Sequence, residues 1–115
     1  PLIDGNRLIV MPGGSKASVV ALDKMTGQEI WKSPGDEAAY SSAILAQVGN
    51  QKQILHFNAD AAVGLRADNG QPLWSYTQVS NRTANIATPI FHNGHAFFSS
   101  DYGTGAALLK LSDGK

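Results

Sequence analysis

The stretch Ala21-Leu22-Asp23-Lys24-Met25-Thr26-Gly27-Gln28-Glu29-Ile30-Trp31 recurs 43 residues later as Gly64-Leu65-Arg66-Ala67-Asp68-Asn69-Gly70-Gln71-Pro72-Leu73-Trp74. A third copy begins at Leu108, and the chain reaches Lys115 before the position of a third tryptophan. A segment that recurs at a fixed period of about 40 residues indicates a repeat architecture. The fold is therefore predicted from this repeat.

The composition is that of an ordinary globular protein with balanced charge. The 115 residues include nine basic and nine acidic side chains and no cysteine. Such a chain lacks the basic surface that binds nucleic acid or anionic membranes, so we predict no nucleic-acid partner. The absence of cysteine excludes disulfides, thiolate metal sites and a cysteine nucleophile. No apolar run approaches the roughly 18 residues of a spanning helix, so we expect no membrane span.

Turn signals divide each repeat into short apolar segments. Gly5, Gly49 and Gly94 mark the first turn of successive repeats, at spacings of 44 and 45 residues. Asn93-Gly94 favours a two-residue type I′ hairpin, because that turn needs positive φ at both positions. Apolar spacing at three and four residues is nowhere sustained, which argues against helices. We therefore predict an all-β protein.

Four short antiparallel strands in a repeat of this length are typical of one blade of a β-propeller. We place the first blade at about residues 1–33, the second at about 40–76 and an incomplete third at about 85–115. The chain holds about 2.6 such units, whereas propellers close with about four to eight blades. We therefore expect an incomplete ring, completed by further blades of a longer parent chain or by other copies.

The repeated stretch resembles the tryptophan-docking motif of pyrroloquinoline quinone (PQQ)-like propellers, Ala-x-Asp-x-x-Thr-Gly-x-x-x-Trp. The first copy fits every fixed position, with Ala21, Asp23, Thr26, Gly27 and Trp31. The second copy keeps the last glycine and the tryptophan and differs elsewhere, with Gly64, Arg66, Asn69, Gly70 and Trp74. In the third copy Gly114 occupies the glycine position. The resemblance covers the whole chain and implies part of a propeller of about seven or eight blades.

In that family the tryptophan packs between adjacent blades, against the glycine turn of a neighbouring motif. The resemblance therefore implies a structural docking role for Trp31 and Trp74. The repetition itself favours this role over ligand stacking, because it marks a part that every blade needs.

The resemblance leaves several functions open. The family contains quinoprotein dehydrogenases and non-catalytic propellers similar to the BamB lipoprotein of outer-membrane assembly. Our leading hypothesis is a non-catalytic module that binds or scaffolds proteins or ligands, needs no cofactor and works in the periplasm or elsewhere outside the cytoplasm. One alternative is part of a PQQ-dependent alcohol or sugar dehydrogenase, which would need PQQ and calcium. Another is a self-assembling propeller.

Histidines provide the first candidates for chemistry. His92 and His95 flank the Asn93-Gly94 turn, so their side chains should point the same way, about 5 Å apart. A structural metal site needs about four ligands, and no nearby cysteine or carboxylate completes one, so we predict no metal site. His56 lies in an apolar strand, and we expect a hydrogen-bonded or exposed residue rather than a general base.

Polar loops provide the remaining candidates. The loop from Ser99 to Gly105 combines hydroxyls, a carboxylate and glycines, but it lacks a phosphate-loop pattern and is predicted to be a strand connector. Asn81-Arg82-Thr83 matches a glycosylation acceptor, which matters only in a eukaryotic secretory setting. The polar connection 78–85 should open on the ligand-facing end of the propeller, so Arg82 and Asn85 are our ligand-facing candidates.

Overall fold

Eleven strands and no helix form the part of the chain that the computed structural model describes, residues 2–13, 19–33, 42–59, 61–78, 87–100 and 105–111. The all-β prediction is confirmed. The strands are β1 Leu2–Asp4, β2 Arg7–Val10, β3 Val20–Asp23, β4 Glu29–Lys32, β5 Ile44–Val48, β6 Gln51–Phe57, β7 Ala62–Arg66, β8 Pro72–Tyr76, β9 Ile90–His92, β10 His95–Ser100 and β11 Gly105–Lys110.

These strands make three antiparallel sheets in which neighbours in sequence are neighbours in space. The first sheet is β1 to β4, the second is β5 to β8, and the third is β9 to β11. None of the three is closed on itself, as expected for propeller blades rather than a barrel. The predicted blade boundaries near residues 33–40 and 76–85 fall largely outside the described residues and stay a prediction.

An apolar cluster fills the space between the first and second sheets. Its buried members are Ile9, Val19, Ala21, Trp31, Ala43, Ile54, Leu65 and Ala67, with Leu2, Met11 and Leu45 packed against them. The cluster draws on both sheets, so each sheet buries its apolar face only through its neighbour.

A second cluster joins the second and third sheets. It comprises Ala46, Val48, Leu55, Phe57, Ala62, Ala96 and Phe98, flanked by Ile44, Trp74, Tyr76, Phe91, Ala107, Leu109 and Leu111. Phe57 and Phe98 meet edge to face across this space, with ring centroids 5.8 Å apart. That geometry is favoured for aromatic pairs and adds to their apolar burial.

Strand β6 lies at the centre of this stack. Its residues from Gln53 to Phe57 are all buried, because one face of the second sheet packs on the first sheet and the other on the third. This double burial explains why the segment Ile54-Leu55-His56-Phe57 does not alternate between apolar and polar residues.

His56 is the titratable residue in this buried run. It is 2% exposed, and its Nε2 atom has no hydrogen-bond partner in the structure. Our expectation of a hydrogen-bonded or exposed histidine is therefore wrong for Nε2. The reason is that the neighbouring sheets cover β6 on both faces and offer no hydrogen-bond partner to this atom. Burial lowers the pKa of His56 from 6.5 to about 4.

Acid should destabilise the fold through His56. Between pH 6.5 and 4 the unfolded chain protonates this side chain while the folded chain does not, so protons favour unfolding. We expect the free energy of unfolding to fall by up to about 3 kcal/mol over this range, measured by urea denaturation.

His56→Leu should flatten this part of the pH dependence, whereas Ser75→Ala, at an exposed residue that does not titrate in this range, should leave it unchanged. Identical pH profiles for the wild type and His56→Leu would contradict the assignment.

Candidate functional site

A tight turn closes each copy of the repeated motif. Gly27 and Gly70 both have φ of +77°, and each donates its N–H to the carbonyl of the residue four positions earlier, at 2.8 and 2.9 Å. A residue with a side chain rarely adopts this backbone conformation, so glycine is required at both positions. The turn thus follows from the local sequence.

Side chains reinforce the first turn. The Asp23 carboxylate accepts hydrogen bonds from the backbone N–H groups of Met25 and Thr26, at 2.9 and 3.1 Å. These two bonds lower the pKa of Asp23, with Met25 the larger cause. The Thr26 hydroxyl accepts the N–H of Gln28 at 3.2 Å. The polar positions of the motif therefore hold its turn in shape.

The second turn reaches the same backbone shape with different side chains. Asn69 replaces the threonine, and its side-chain oxygen accepts the N–H of Gln71 at 2.9 Å, as Thr26 does for Gln28. Arg66 replaces the aspartate and pairs with Asp68, with Nε 3.2 Å from Oδ1. A hydrogen bond from Arg66 lowers the pKa of Asp68. The asparagine thus reproduces the original contact, whereas the arginine introduces a new one.

Trp31 connects the first sheet to the second. Its side chain is buried, and its indole Nε1–H donates to the carbonyl of Ala67 at 3.1 Å. Its ring covers the backbone of Gly70 so closely that a Cβ atom there would overlap it. Gly70 therefore needs to be glycine for two reasons, its positive φ and this ring.

Trp74 is arranged differently. Its ring lies over Gly64, its cross-strand partner in the same sheet, and a Cβ atom on Gly64 would overlap the indole. Its Nε1–H donates to Oε1 of buried Gln53 at 3.1 Å, and its ring meets Phe98 edge to face. Gly64, which stands where the motif has alanine, thus makes room for the Trp74 ring. In the first copy the motif's alanine is kept, and Ala21 is the cross-strand partner of Trp31.

The same irregularity precedes both tryptophans. The register between β3 and β4 shifts between Ala21 and Leu22, and the register between β7 and β8 shifts between Gly64 and Leu65. A bulge of this kind re-aims the side chains that follow it. The two copies of the motif therefore share this backbone irregularity, which orients each tryptophan, as well as their sequence pattern.

Charged side chains also bridge the first and second sheets, and one of them shares the Ala67 carbonyl with Trp31. Arg7 Nη1 donates to the carbonyls of Ala67 and Asp68, at 2.8 and 3.2 Å. Lys52 Nζ lies 2.9 Å from Oδ1 of Asp4, on the opposite sheet. These residues line a cleft of about 400 Å³ between the two sheets. We call Trp31, Arg7 and Asp4, with Lys52, Ala67, Asp68 and Gly70, the inter-sheet joint.

Arg7, Asp4 and Lys52 were not among the residues that the sequence pointed to. They stand outside the repeated motif, and they meet their partners across 48 to 61 positions of sequence. No local pattern indicates such a pairing.

Several candidate residues lie outside the described part of the chain. They are Arg82, Asn85, Gly114, the 81–83 glycosylation pattern and most of the 99–105 loop.

His92 and His95 do stand opposite each other in register, across a turn with φ of 49° at Asn93 and 77° at Gly94. His95 also pairs with Lys110 on its other side, and its Nδ1 lies 3.0 Å from the carbonyl oxygen of Asn93. Among the described residues there is no group of three or more histidines, cysteines or carboxylates that could hold a metal ion.

Comparison with known families identifies a match over the whole given sequence. The family model described as outer membrane protein assembly factor BamB matches residues 1–115. No curated protein matches the chain. Within the described ranges, no helix is long and apolar enough to cross a membrane.

A pair of glycine substitutions separates turn strain from ring packing. In both Gly27→Ala and Gly70→Ala the new alanine has to adopt the same positive φ. The space beside Gly27 is open, whereas the space beside Gly70 is filled by the Trp31 ring. We expect about 1–2 kcal/mol of destabilisation from Gly27→Ala and a further 1–3 kcal/mol from Gly70→Ala, measured by urea denaturation. Equal losses for the two variants would mean that the ring contact contributes nothing.

Removing the indole should be more costly still. Trp31→Ala leaves a cavity between two sheets and should lower the free energy of unfolding by about 3–5 kcal/mol. Trp31→Phe keeps part of the ring and loses the indole N–H, while Ala67 still accepts from Arg7, so its loss should be clearly smaller. Calorimetric melting of both variants tests this order, and a loss below about 1 kcal/mol for Trp31→Ala would refute it.

Proposed function

Because the chain belongs to the family described as outer membrane protein assembly factor BamB, we propose that it is a non-catalytic propeller module that binds or scaffolds other proteins. Membership supports a propeller module in general, and the protein-binding role is our inference from the way the described side chains are used. The description also associates the family with the outer membrane, and we propose that this chain works in the periplasm.

The observation that carries the proposal is that charged side chains in the inter-sheet joint, and in the turn beside it, are paired with other protein groups. Lys52 pairs with Asp4, Arg66 pairs with Asp68, and Arg7 is bound to two backbone carbonyls. These groups hold sheets and turns in fixed positions, whereas a catalytic centre needs groups whose charge is available to a substrate. Such an arrangement suits a rigid surface on which a partner docks.

Within this proposal Trp31 is a docking residue between blades. Its ring on Gly70 and its hydrogen bond to Ala67 are the contacts that such a role requires. Trp74 makes its hydrogen bond within its own sheet and reaches the third sheet through Phe98. We propose the same role for both, carried by different contacts.

The quinone-enzyme hypothesis demands a different arrangement. Calcium over a quinone needs carboxylate and amide oxygens that converge on one point. Of the carboxylates in the described ranges, Asp4 and Asp68 face cationic partners, Asp23 caps its own turn, and Glu29 is exposed. These residues do not fit a calcium–quinone site, and we derive no catalytic step from them.

The first turn offers a surface on which to test binding. Met25 is 82% exposed, at the tip of a turn held by the Asp23 and Thr26 hydrogen bonds. Methionine adapts its shape to apolar partners, and here the backbone beneath it is held in place. We propose that this turn is part of the protein-binding surface.

Site-specific photo-crosslinking tests the proposal. The chain, exported to the periplasm of a Gram-negative host, carries a photoreactive phenylalanine analogue at Met25 or, as the control, at exposed Ser75 of β8. We expect a discrete adduct from position 25 with a protein of outer-membrane assembly, and its loss when unlabelled chain competes.

Two results would overturn the proposal. One is the absence of a discrete adduct from position 25. The other is saturable binding of PQQ with calcium-dependent dye reduction by the purified chain, which would favour the dehydrogenase.

A further inference from the structure

Two turns of the chain contain an asparagine followed by a glycine. Asn69-Gly70 closes the second copy of the repeated motif, and Asn93-Gly94 joins β9 to β10. In such a pair the backbone nitrogen of the glycine can attack the side-chain carbonyl carbon of the asparagine, because glycine has no side chain to hinder the approach. The two pairs differ at each of the atoms that take part in this attack.

The Asn69-Gly70 pair is held away from reaction. The N–H of Gly70 donates to the carbonyl of Arg66 at 2.9 Å, and the side-chain oxygen of Asn69 accepts the N–H of Gln71 at 2.9 Å. Gly70 is also buried beneath the Trp31 ring. Both reacting groups must therefore give up a hydrogen bond before they can meet, in a turn that the ring holds in place.

The Asn93-Gly94 pair is more open. The Asn93 side chain is exposed, and a Cβ atom on Gly94 would meet nothing within 4 Å. Among the residues that the structure describes, neither the Gly94 N–H nor the Asn93 side-chain amide has a hydrogen-bond partner. The turn is attached on one side to β9, an edge strand of three residues, so it can adjust more easily than a turn inside the stack.

His95 donates a hydrogen bond to the peptide unit that joins Asn93 to Gly94. Its Nδ1 atom lies 3.0 Å from the Asn93 carbonyl oxygen. A carbonyl oxygen can only accept, so the ring nitrogen carries the hydrogen of this bond. When the Gly94 N–H loses its proton, the negative charge spreads onto the same oxygen by peptide resonance. A donor aimed at that oxygen stabilises the charge as it develops.

We infer that Asn93 is a site of spontaneous deamidation assisted by His95, whereas Asn69 is protected. The Gly94 nitrogen loses its proton to solvent and forms a bond to the side-chain carbonyl carbon of Asn93. The bond from that carbon to the amide nitrogen breaks, and the proton, returned by solvent, completes the ammonia that leaves. Water then opens the cyclic imide at one of its two carbonyls, which yields aspartate or isoaspartate at position 93.

The modification would change the hairpin that carries it. Either product places a negative charge between His92 and His95, which are cross-strand partners. Isoaspartate also adds one carbon to the main chain of a two-residue turn, and the register of a hairpin depends on the length of its turn. Phe91 and Ala96, beside the turn, belong to the cluster that joins the second and third sheets. Modification at position 93 should therefore loosen that contact.

Peptide mass spectrometry of the whole chain, incubated in mildly alkaline buffer and sampled over time, measures both sites together. Trypsin places Asn69 in the peptide of residues 67–82 and Asn93 in the peptide of residues 83–110, and fragment ions assign the change to one residue. In the folded chain we expect Asn93 to deamidate at least roughly tenfold faster than Asn69. In urea the two rates should become similar, because the protecting contacts are then lost.

Two histidine variants test the role of His95. His95→Ala removes the donor and should slow deamidation at Asn93 by roughly threefold to tenfold in the folded chain. In urea it should match the wild type. A purely structural role would give the opposite sign, because a loosened hairpin lets the turn adjust more easily. His92→Ala is the matched control, since it removes the other flanking histidine and leaves the bond from His95 in place, so the rate should be unchanged.

The inference fails on either of two results. Equal rates at Asn93 and Asn69 in the folded chain, or a faster rate at Asn69, would show that the two turns do not differ in reactivity. A rate at Asn93 that His95→Ala leaves unchanged or raises would remove His95 from the reaction. The crosslinking experiment at Met25 uses a different turn, so this inference and the proposed function can fail separately.

Discussion

The contact between the Trp31 indole and the Gly70 turn is the constraint on which the first interface depends. A large ring buries much apolar area, but it lies flat only on backbone without a side chain. Gly70 meets that condition, and the Ala67 carbonyl receives the indole N–H that burial would otherwise leave unpaired. A turn in one sheet is thereby a binding surface for a side chain of another. The conformation of the repeated turn therefore affects how the first and second sheets pack on each other.

The second constraint is that a sheet in the middle of the stack has two apolar faces. The second sheet packs against a neighbour on each side, and its central strand β6 is buried from Gln53 to Phe57. The stability of such a sheet is shared with its neighbours, because each interface contributes to the stability of both sheets that form it. Polar groups in it are tolerated where they are bonded, as Gln53 is to Trp74, whereas His56 remains neutral because burial disfavours its charged form.

The fixed stacking of the sheets bears on the function that we propose. A stack of sheets fixed by ring contacts, hydrogen bonds and ion pairs at its joint presents its turns at defined positions. Charged residues that bridge neighbouring sheets add to this rigidity, and a rigid surface would lower the cost of binding in the role that we propose.

The sequence by itself determined the strands, the turns and the number of sheets, because these depend on short-range features. Glycine permits the positive φ of the turns at Gly27 and Gly70, and the turn glycines Gly5, Gly49 and Gly94, spaced by 44 and 45 residues, predict three similar units. The sequence also pointed to Trp31 as part of a joint. It could not reveal that Arg7 and Lys52 complete that joint, that Gly64 accommodates Trp74, or that His56 is buried without a partner at Nε2. Only the tertiary structure decided those features, because each arises where strands far apart in sequence pack face to face and exclude water between them.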